Sequence, residues 1–300
     1  MKIISSSRSF SFLKKTIKND LISSYILGIE NYSLFSEYEY NLNEIKEVIK
    51  YLKKHNKKVI IDIARLFHEE EMDSLINLIK KLNSYDVDYF MYSDFGVHYI
   101  LEELGLSKKT MLYSNTYLTN VLDTKIYQEK NSMVVLSNQI NSEELINIVK
   151  KSYDNKVVLA FGNALIMYTK RPLLTNYFKY RGVNKEGYKK TYSLQEEYRD
   201  DLYPIIENKN STKIYDYGHF YLLDELKELG NTDIIISGEL LNNKEYMEVL
   251  NLYSSYINKN IESNDVILEF EKNNIKLHKG AYNKKLTLLK GVKEETNNER

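Results

Sequence analysis

Cysteine and tryptophan are absent from the 300 residues, and proline occurs only twice. Without cysteine the chain offers no disulfide, no thiolate zinc site, no cysteine nucleophile and no Cys-ligated iron–sulfur cluster. Charge of one sign is also missing. The 42 Lys and Arg residues balance 42 Asp and Glu, so no global field draws the chain to nucleic acid or anionic lipid, and such binding would need a local patch. No run approaches the roughly 18 apolar residues of a membrane-spanning helix, and the opening MKIISSSRSF lacks the apolar core and cleavage site of a secretory signal. These absences predict a soluble, cytoplasmic protein with no membrane partner. The phosphate-loop, dinucleotide-loop, H-E-x-x-H and G-x-S-x-G motifs are missing too. The 27 tyrosines belong to a general bias toward Tyr, Lys, Asn and Ile, so no single one of these residues carries a functional signal.

What is present is a repeated alternation. Eight short apolar runs recur: KIIS (2–5), SYILGI (24–29), KVIIDIA (58–64), DYFMYS (88–93), TMLYS (110–114), SMVVLS (132–137), KVVLAF (156–161) and DIIIS (233–237). They are nearly continuous in hydrophobics, as in strands covered on both faces of a parallel sheet. Helical stripes lie between them, such as Leu42, Ile45, Ile49 and Leu52, or Met72, Leu75, Ile76, Ile79 and Leu82. Asn141 and Glu144 mark a helix start before Leu145, Ile148 and Val149. Gly230 closes a helical stripe of Leu222, Leu223, Leu226 and Leu229.

Strand followed by helix, eight times, predicts an α/β fold, a closed (β/α)8 TIM-like barrel, with a doubly wound open sheet as the alternative. The barrel is expected over 1–260. An insert at about 162–216, after the seventh strand, breaks the alternation and contains a hairpin in YPIIENKNSTKIYD. Over 261–300, VILEFE, IKLHKG and KLTLL read as a small β-appendage before a polar tail.

Long loops after barrel strands lie on the C-terminal face, where active sites are built. His68, followed by Glu69, Glu70 and Glu71, suggests a metal. First-turn acids complementing a helix dipole explain these carboxylates better, and no second histidine stands three or four residues on, so no metal is expected. Asp62, Asp94, Ser114, Asn138, Gln139 and Ser237 fall near carboxyl ends of strands. Their chemistry is that of hydrogen-bonding positions, and for any one of them a loop-capping role is the default. The segment YTKRPLLTNYFKYR (168–181) is denser, with Lys170, Arg171, Lys179 and Arg181 among Tyr168, Tyr177, Phe178 and Tyr180. That mixture suits a phosphate backbone with stacked bases, or a flat anion. It suits a protein interface equally well.

The stretch FGNALIMYTKRPLLTNYF resembles the signature of the collagenase-like peptidase family (U thirty-two), roughly H-G-A-L-C-x-x-Y-S-G-R-C-L-L-S-N-Y. Gly162, Tyr168, Arg171, Leu173, Leu174, Asn176 and Tyr177 stand in register. The blocks YILGIENYSL, LFHEEEMDSL, YSDFGVHYIL, TYLTN, YPIIENKNSTKIYDYGHFYLLDEL and DIIISGELLNNKEYMEVLNLY follow the family order over about residues 20 to 255. The likeness is nearest to a short branch that low-GC Gram-positive bacteria carry beside a longer family member. The resemblance implies hydroxylation of RNA bases or of the ubiquinone ring. In the tRNA branch the product is 5-hydroxyuridine at the wobble position, with prephenate implicated as the hydroxyl source.

Many members hold an iron–sulfur cluster on four cysteines. Here the signature histidine is Phe161 and its two cysteines are Leu165 and Pro172, so no cofactor is expected. The family's Arg-Glu pair after the sixth strand is Asn138-Gln139, and the Lys and acid of a late block are Ile235 and Ser237. The resemblance thus implies a subunit of a tRNA uridine 5-hydroxylation system, acting with a longer catalytic paralogue and with tRNA as a further partner. A collagenase-like peptidase and a non-catalytic scaffold stay open as alternatives, and so does enzyme status. The residues expected to bind substrate or RNA are Lys170, Arg171, Asn176, Tyr177 and Arg181. The expected pocket residues are His68, Asp94, Ser114, Asn120, Asn138 and Gln139, and no catalytic residue is assigned.

Overall fold

The computed structural model describes residues 1–280, apart from residues 115, 184–186, 188, 189, 199 and 210. Its strands are β1 (Ile3–Ser6), β2 (Ile22–Ile29), the short β3 (Glu39–Tyr40), β4 (Lys58–Asp62), β5 (Tyr89–Tyr92), β6 (Thr110–Tyr113), β7 (Met133–Val135), β8 (Lys156–Thr169), β9 (Thr191–Gln195), β10 (Leu202–Glu207), β11 (Thr212–Tyr221), β12 (Asp233–Ile236) and β13 (Leu277–His278). The eight apolar runs correspond to β1, β2, β4, β5, β6, β7, β8 and β12. These pair in parallel, and β12 closes the ring by bonding to both β8 and β1. Their continuous hydrophobics fill the interior on one side and meet helices on the other, which is why Tyr25, Phe90, Tyr92 and Phe161 are fully buried.

The helices are α1 (Phe10–Thr16), α2 (Glu44–Lys54), α3 (Met72–Asn83), α4 (Phe95–Glu103), α5 (Val121–Lys130), α6 (Ser142–Lys151), α7 (Leu173–Tyr180), α8 (Asn243–Ile257) and α9 (Ser263–Lys272). Several start where a side chain caps the orphan N–H groups of the first turn. Asn141 accepts from the Glu144 N–H at 2.9 Å, as the Asn-x-x-Glu pattern predicts, and Asn242 caps α8 in the same way.

Two sequence expectations are corrected. The stripe from Leu222 to Leu229 forms only a single 3-10 turn, Asp224–Lys227: β11 runs on to Tyr221 and the Leu222 N–H still bonds the Ala160 carbonyl, so the stripe begins in extended chain. Gly230 nevertheless takes the left-handed conformation, with φ +59°. VILEFE forms part of α9. Val266 and Phe270, four residues apart, enter the core together, and over six residues that spacing looks like strand alternation. KLTLL lies outside the described residues.

The insert is built on the barrel wall. β8 continues eight residues past Phe161 and pairs antiparallel with β11, which pairs with β10 and that in turn with β9. The expected hairpin is the β10–β11 pair. At the point where β8 leaves the ring, Gly162 has φ +150°, and a Cβ there would come within 2.8 Å of Ser237 Cβ. Only glycine fits both the conformation and the approach.

Candidate functional site

At the C-terminal mouth of the barrel the loop after β2 folds inward as a plug. The Phe35 ring stacks on Tyr113 with centroids 4.1 Å apart. Asp62, at the end of β4 and fully buried, accepts N–H bonds from Phe35 (2.8 Å), Ala64 (3.0 Å) and Leu34 (3.3 Å). Lys213 of β11 donates its ammonium to the Leu34 carbonyl, tying the plug to the insert. Ser33 adds a hydroxyl bond to the Asp62 carbonyl at 2.7 Å.

Beneath Phe35 remains a cavity of about 20 Å3, lined by Asn138, Asn163, Ser237 and Glu239 among others. It has room for about one water. Glu239 accepts from the Tyr215 hydroxyl at 2.7 Å and lies 3.9 Å from Lys213 Nζ. Burial pushes Glu239 up to about 7, against the pull of Lys213 and the Tyr215 hydrogen bond. Burial likewise raises Asp62, despite its N–H donors and Lys213. One cation thus sits among acids whose burial favours their neutral forms.

Outside the plug, on the same face, a groove of about 340 Å3 opens between the ends of β4, β5 and β6 and the outgoing part of β8. Phe35, Tyr117 and Tyr168 supply its rings, Ser93, Ser114 and Thr116 its hydroxyls, and Leu66, Ile166 and Met167 its apolar rim. Among the described residues no charged residue and no histidine lines the groove.

Past the groove, β8 leads through Lys170 and Arg171 into α7. A single buried carboxylate holds the start of this helix. Glu207, 1 % exposed, accepts from Leu174 N–H (2.7 Å), Thr175 N–H (3.2 Å) and the Thr175 hydroxyl. Gly187 packs so close that a Cβ would meet Leu174 Cβ at 2.5 Å and Glu207 Oε1 at 2.7 Å. The two family cysteine positions fall here: Leu165 lines the groove and Pro172 precedes α7. Carbon side chains bind no iron, so these positions do not fit the cluster. The start of α7 is anchored by Glu207.

The structure separates the residues expected at the site. Lys170 turns inward and pairs with Glu71 at 2.6 Å. Glu71 also takes Arg65 at 2.6 Å and the His68 N–H at 2.8 Å. Burial opposes ionisation of Glu71, but these donors outweigh it and hold its carboxyl at about 2. Arg171, Asn176, Tyr177 and Arg181 are exposed on or beside α7, with Tyr180 at 87 % exposure. Asp94 caps α4, accepting from Gly96 N–H at 2.8 Å, and holds Phe67 N–H at 3.1 Å. Asn120 caps α5. Ser114 lines the groove and Asn138 the mouth cavity, whereas Gln139 and His68 lie exposed on the surface. Sequence reading missed Phe35, Lys213, Tyr215, Glu239 and Glu207. The one available signal was the placement of Glu239 two residues beyond the strand end at Ser237.

These features describe a (β/α)8 barrel with a plugged mouth, an open uncharged groove and a basic, aromatic helix beside it. Comparison with known proteins assigns its family. Residues 11–295 match the profile of Peptidase family U32, and the chain belongs to that family. It is 24 % identical over 251 residues to the tRNA hydroxylation protein P2 of Bacillus subtilis (strain 168), covering 81 % of each chain. It is 25 % identical over 251 residues to an uncharacterized protease of Methanocaldococcus jannaschii, covering 80 % of this chain and 61 % of that one. Among solved structures, the U32 peptidase Mk0906 superimposes with a TM-score of 0.50 at 12 % identity, over 80 % of this chain and 94 % of that one, which supports the fold. Among the described residues no helix is long and apolar enough to cross a membrane, and no group of three or more His, Asp or Glu could hold a metal ion.

Proposed function

We propose that this chain is a recognition subunit of a tRNA uridine 5-hydroxylation system, working beside a longer, catalytic member of the family. The observation that carries the reading is the likeness to the tRNA hydroxylation protein P2 over four-fifths of both chains. Two features of the geometry support it. The plug leaves the mouth cavity about 20 Å3, too small for a substrate. Beside it, α7 presents Tyr177 and Tyr180 to solvent together with Lys179, Arg171 and Arg181, a surface suited to an RNA backbone and its unpaired bases. A peptidase reading gains nothing from the site, since no histidine lines either the mouth cavity or the groove.

Deleting the gene and quantifying 5-hydroxyuridine-derived nucleosides in bulk tRNA by mass spectrometry tests the proposal. Their loss, restored by the wild-type gene, is expected; unchanged modification would rule the reading out. Purification of the tagged chain from its host should bring down the longer paralogue in stoichiometric amount.

A further inference from the structure

We infer that the groove between Tyr117 and Tyr168 receives one unpaired nucleobase of an RNA whose backbone follows α7. This rests on the tRNA reading above and adds to it a defined seat for a base. The volume, about 340 Å3, lies in the range of small-ligand sites, which begins at roughly 300 Å3. Its lining selects a kind of ligand. With no charged side chain among the described residues of its lining, the groove offers nothing there to neutralise a carboxylate or phosphate. Cations beside the groove are already committed, Lys213 to the carbonyl of the lining residue Leu34. Arg65 is held by Glu71 and stacks 4.1 Å from the Phe67 ring centre, and Lys170 is held by Glu71. What the groove offers is the aromatic surface of Phe35, Tyr117 and Tyr168, the Ser93 hydroxyl, which donates to the Tyr113 carbonyl and keeps its lone pairs for accepting, and the Ser114 and Thr116 hydroxyls, which share one hydrogen bond at 3.3 Å and keep further capacity. A flat, uncharged ring with polar edges matches these features, and a base is such a ring.

The charge that a nucleotide does carry finds its partners next to the groove. No acidic residue occurs between Asp154 and Glu186, a stretch that holds Lys170, Arg171, Lys179 and Arg181 and includes the groove wall as well as α7. Met167 and Tyr168 line the groove, and Arg171 follows three residues after Tyr168 on the same strand end. A base seated in the groove therefore directs its own phosphate toward α7, where exposed Tyr177 and Tyr180 can stack on its neighbours. A peptide partner would be drawn to the same basic helix only through acidic side chains, and the uncharged groove would give those no seat.

The test uses the full chain and a hairpin RNA with a seven-nucleotide loop carrying 2-aminopurine at one loop position at a time. Quenching at a single position is expected, since stacking in the groove silences the fluorophore there. Tyr117→Ala should weaken binding about tenfold and remove the quench. Thr116→Phe, which fills the groove from an exposed position, should remove the quench while α7 still binds the backbone. Thermal melts confirm that both variants fold. If the two variants bind and quench like wild type, RNA touches the surface only and the groove proposal falls while the tRNA reading stands. Absence of RNA binding by the wild-type chain at low salt also overturns the groove proposal, and the gene deletion then decides the function separately.

Discussion

Glu207 shows how one side chain can set the position of a surface helix. Its buried carboxylate satisfies the second and third N–H groups of α7, those of Leu174 and Thr175, while the Thr212 hydroxyl accepts from Leu173; the helix has only two turns and a proline before it. Replacing it with alanine leaves two buried N–H groups unpaired, at about 1–3 kcal/mol each. Glu207→Ala should therefore lower stability by at least about 2 kcal/mol in urea unfolding, and should speed amide exchange at Leu174 and Thr175 before it does so in the barrel strands. Glu239 gives a second test at this scale. Its folded-state carboxyl is raised from 4.5 to about 7, so its stabilising contribution is fully present below 4.5 and is lost as pH rises through 7. Glu39, raised by burial to about 7, acts in the same direction. Glu71, held at about 2, acts in the opposite sense: its contribution is present above 4.5 and is lost only as pH falls toward 2. Unfolding midpoints should thus fall between about pH 5 and pH 8, and Glu239→Gln should flatten that slope.

At the scale of elements, the plug depends on contacts that bring distant parts of the chain together: Phe35 on Tyr113, Asp62 under Leu34 and Phe35, Lys213 across to Leu34. Phe35→Ala should cost less than the ~3–5 kcal/mol of a fully buried phenylalanine, because Phe35 keeps some exposure. The same substitution should open the mouth to small solutes, which a crystal soaked with a small polar compound can report. The barrel strands were legible because each is a local run whose hydrophobics state both faces at once. The plug was not legible, since nothing near Phe35 in sequence indicates that Tyr113 and Lys213 will meet it. Asp94, which stands at a strand end, and Asn120, which closes the family block TYLTN, both cap helices. Ser114, chosen for the same reason, lines the groove. Position after a strand thus located the correct face without distinguishing caps from lining residues. Misreading α9 has a different cause, since six residues are too few to separate a period of two from one of 3.6.

For the whole molecule, the zero net charge makes a quantitative statement about RNA binding. The acid-free stretch around α7 is a local patch, so a single-stranded site there should neutralise about three phosphates through Arg171, Lys179 and Arg181. The logarithm of affinity should then fall with the logarithm of salt with a slope near −2, from about 0.7 per phosphate. Filter binding across a salt series measures it, and a slope several times steeper would place the contacts elsewhere. The signature stretch stood out in the sequence by its density of rings and cations. Its attachment was not: Lys170, expected to meet ligand, serves as an internal strut to Glu71.

The passage of β8 out of the ring has a mechanical consequence. Its 14 residues extend for roughly 46 Å as one strand, pairing with β12 in the barrel and, through two register shifts, with β11 in the insert. A load applied at α7, by a docked RNA or a second protein, is carried along one stiff beam into the barrel wall beside Ser237 and is not absorbed by a slack tether. Barrel and insert should consequently lose their protected amides together, as one cooperative unit, and whatever binds the outer end of that beam will be sensed at the mouth.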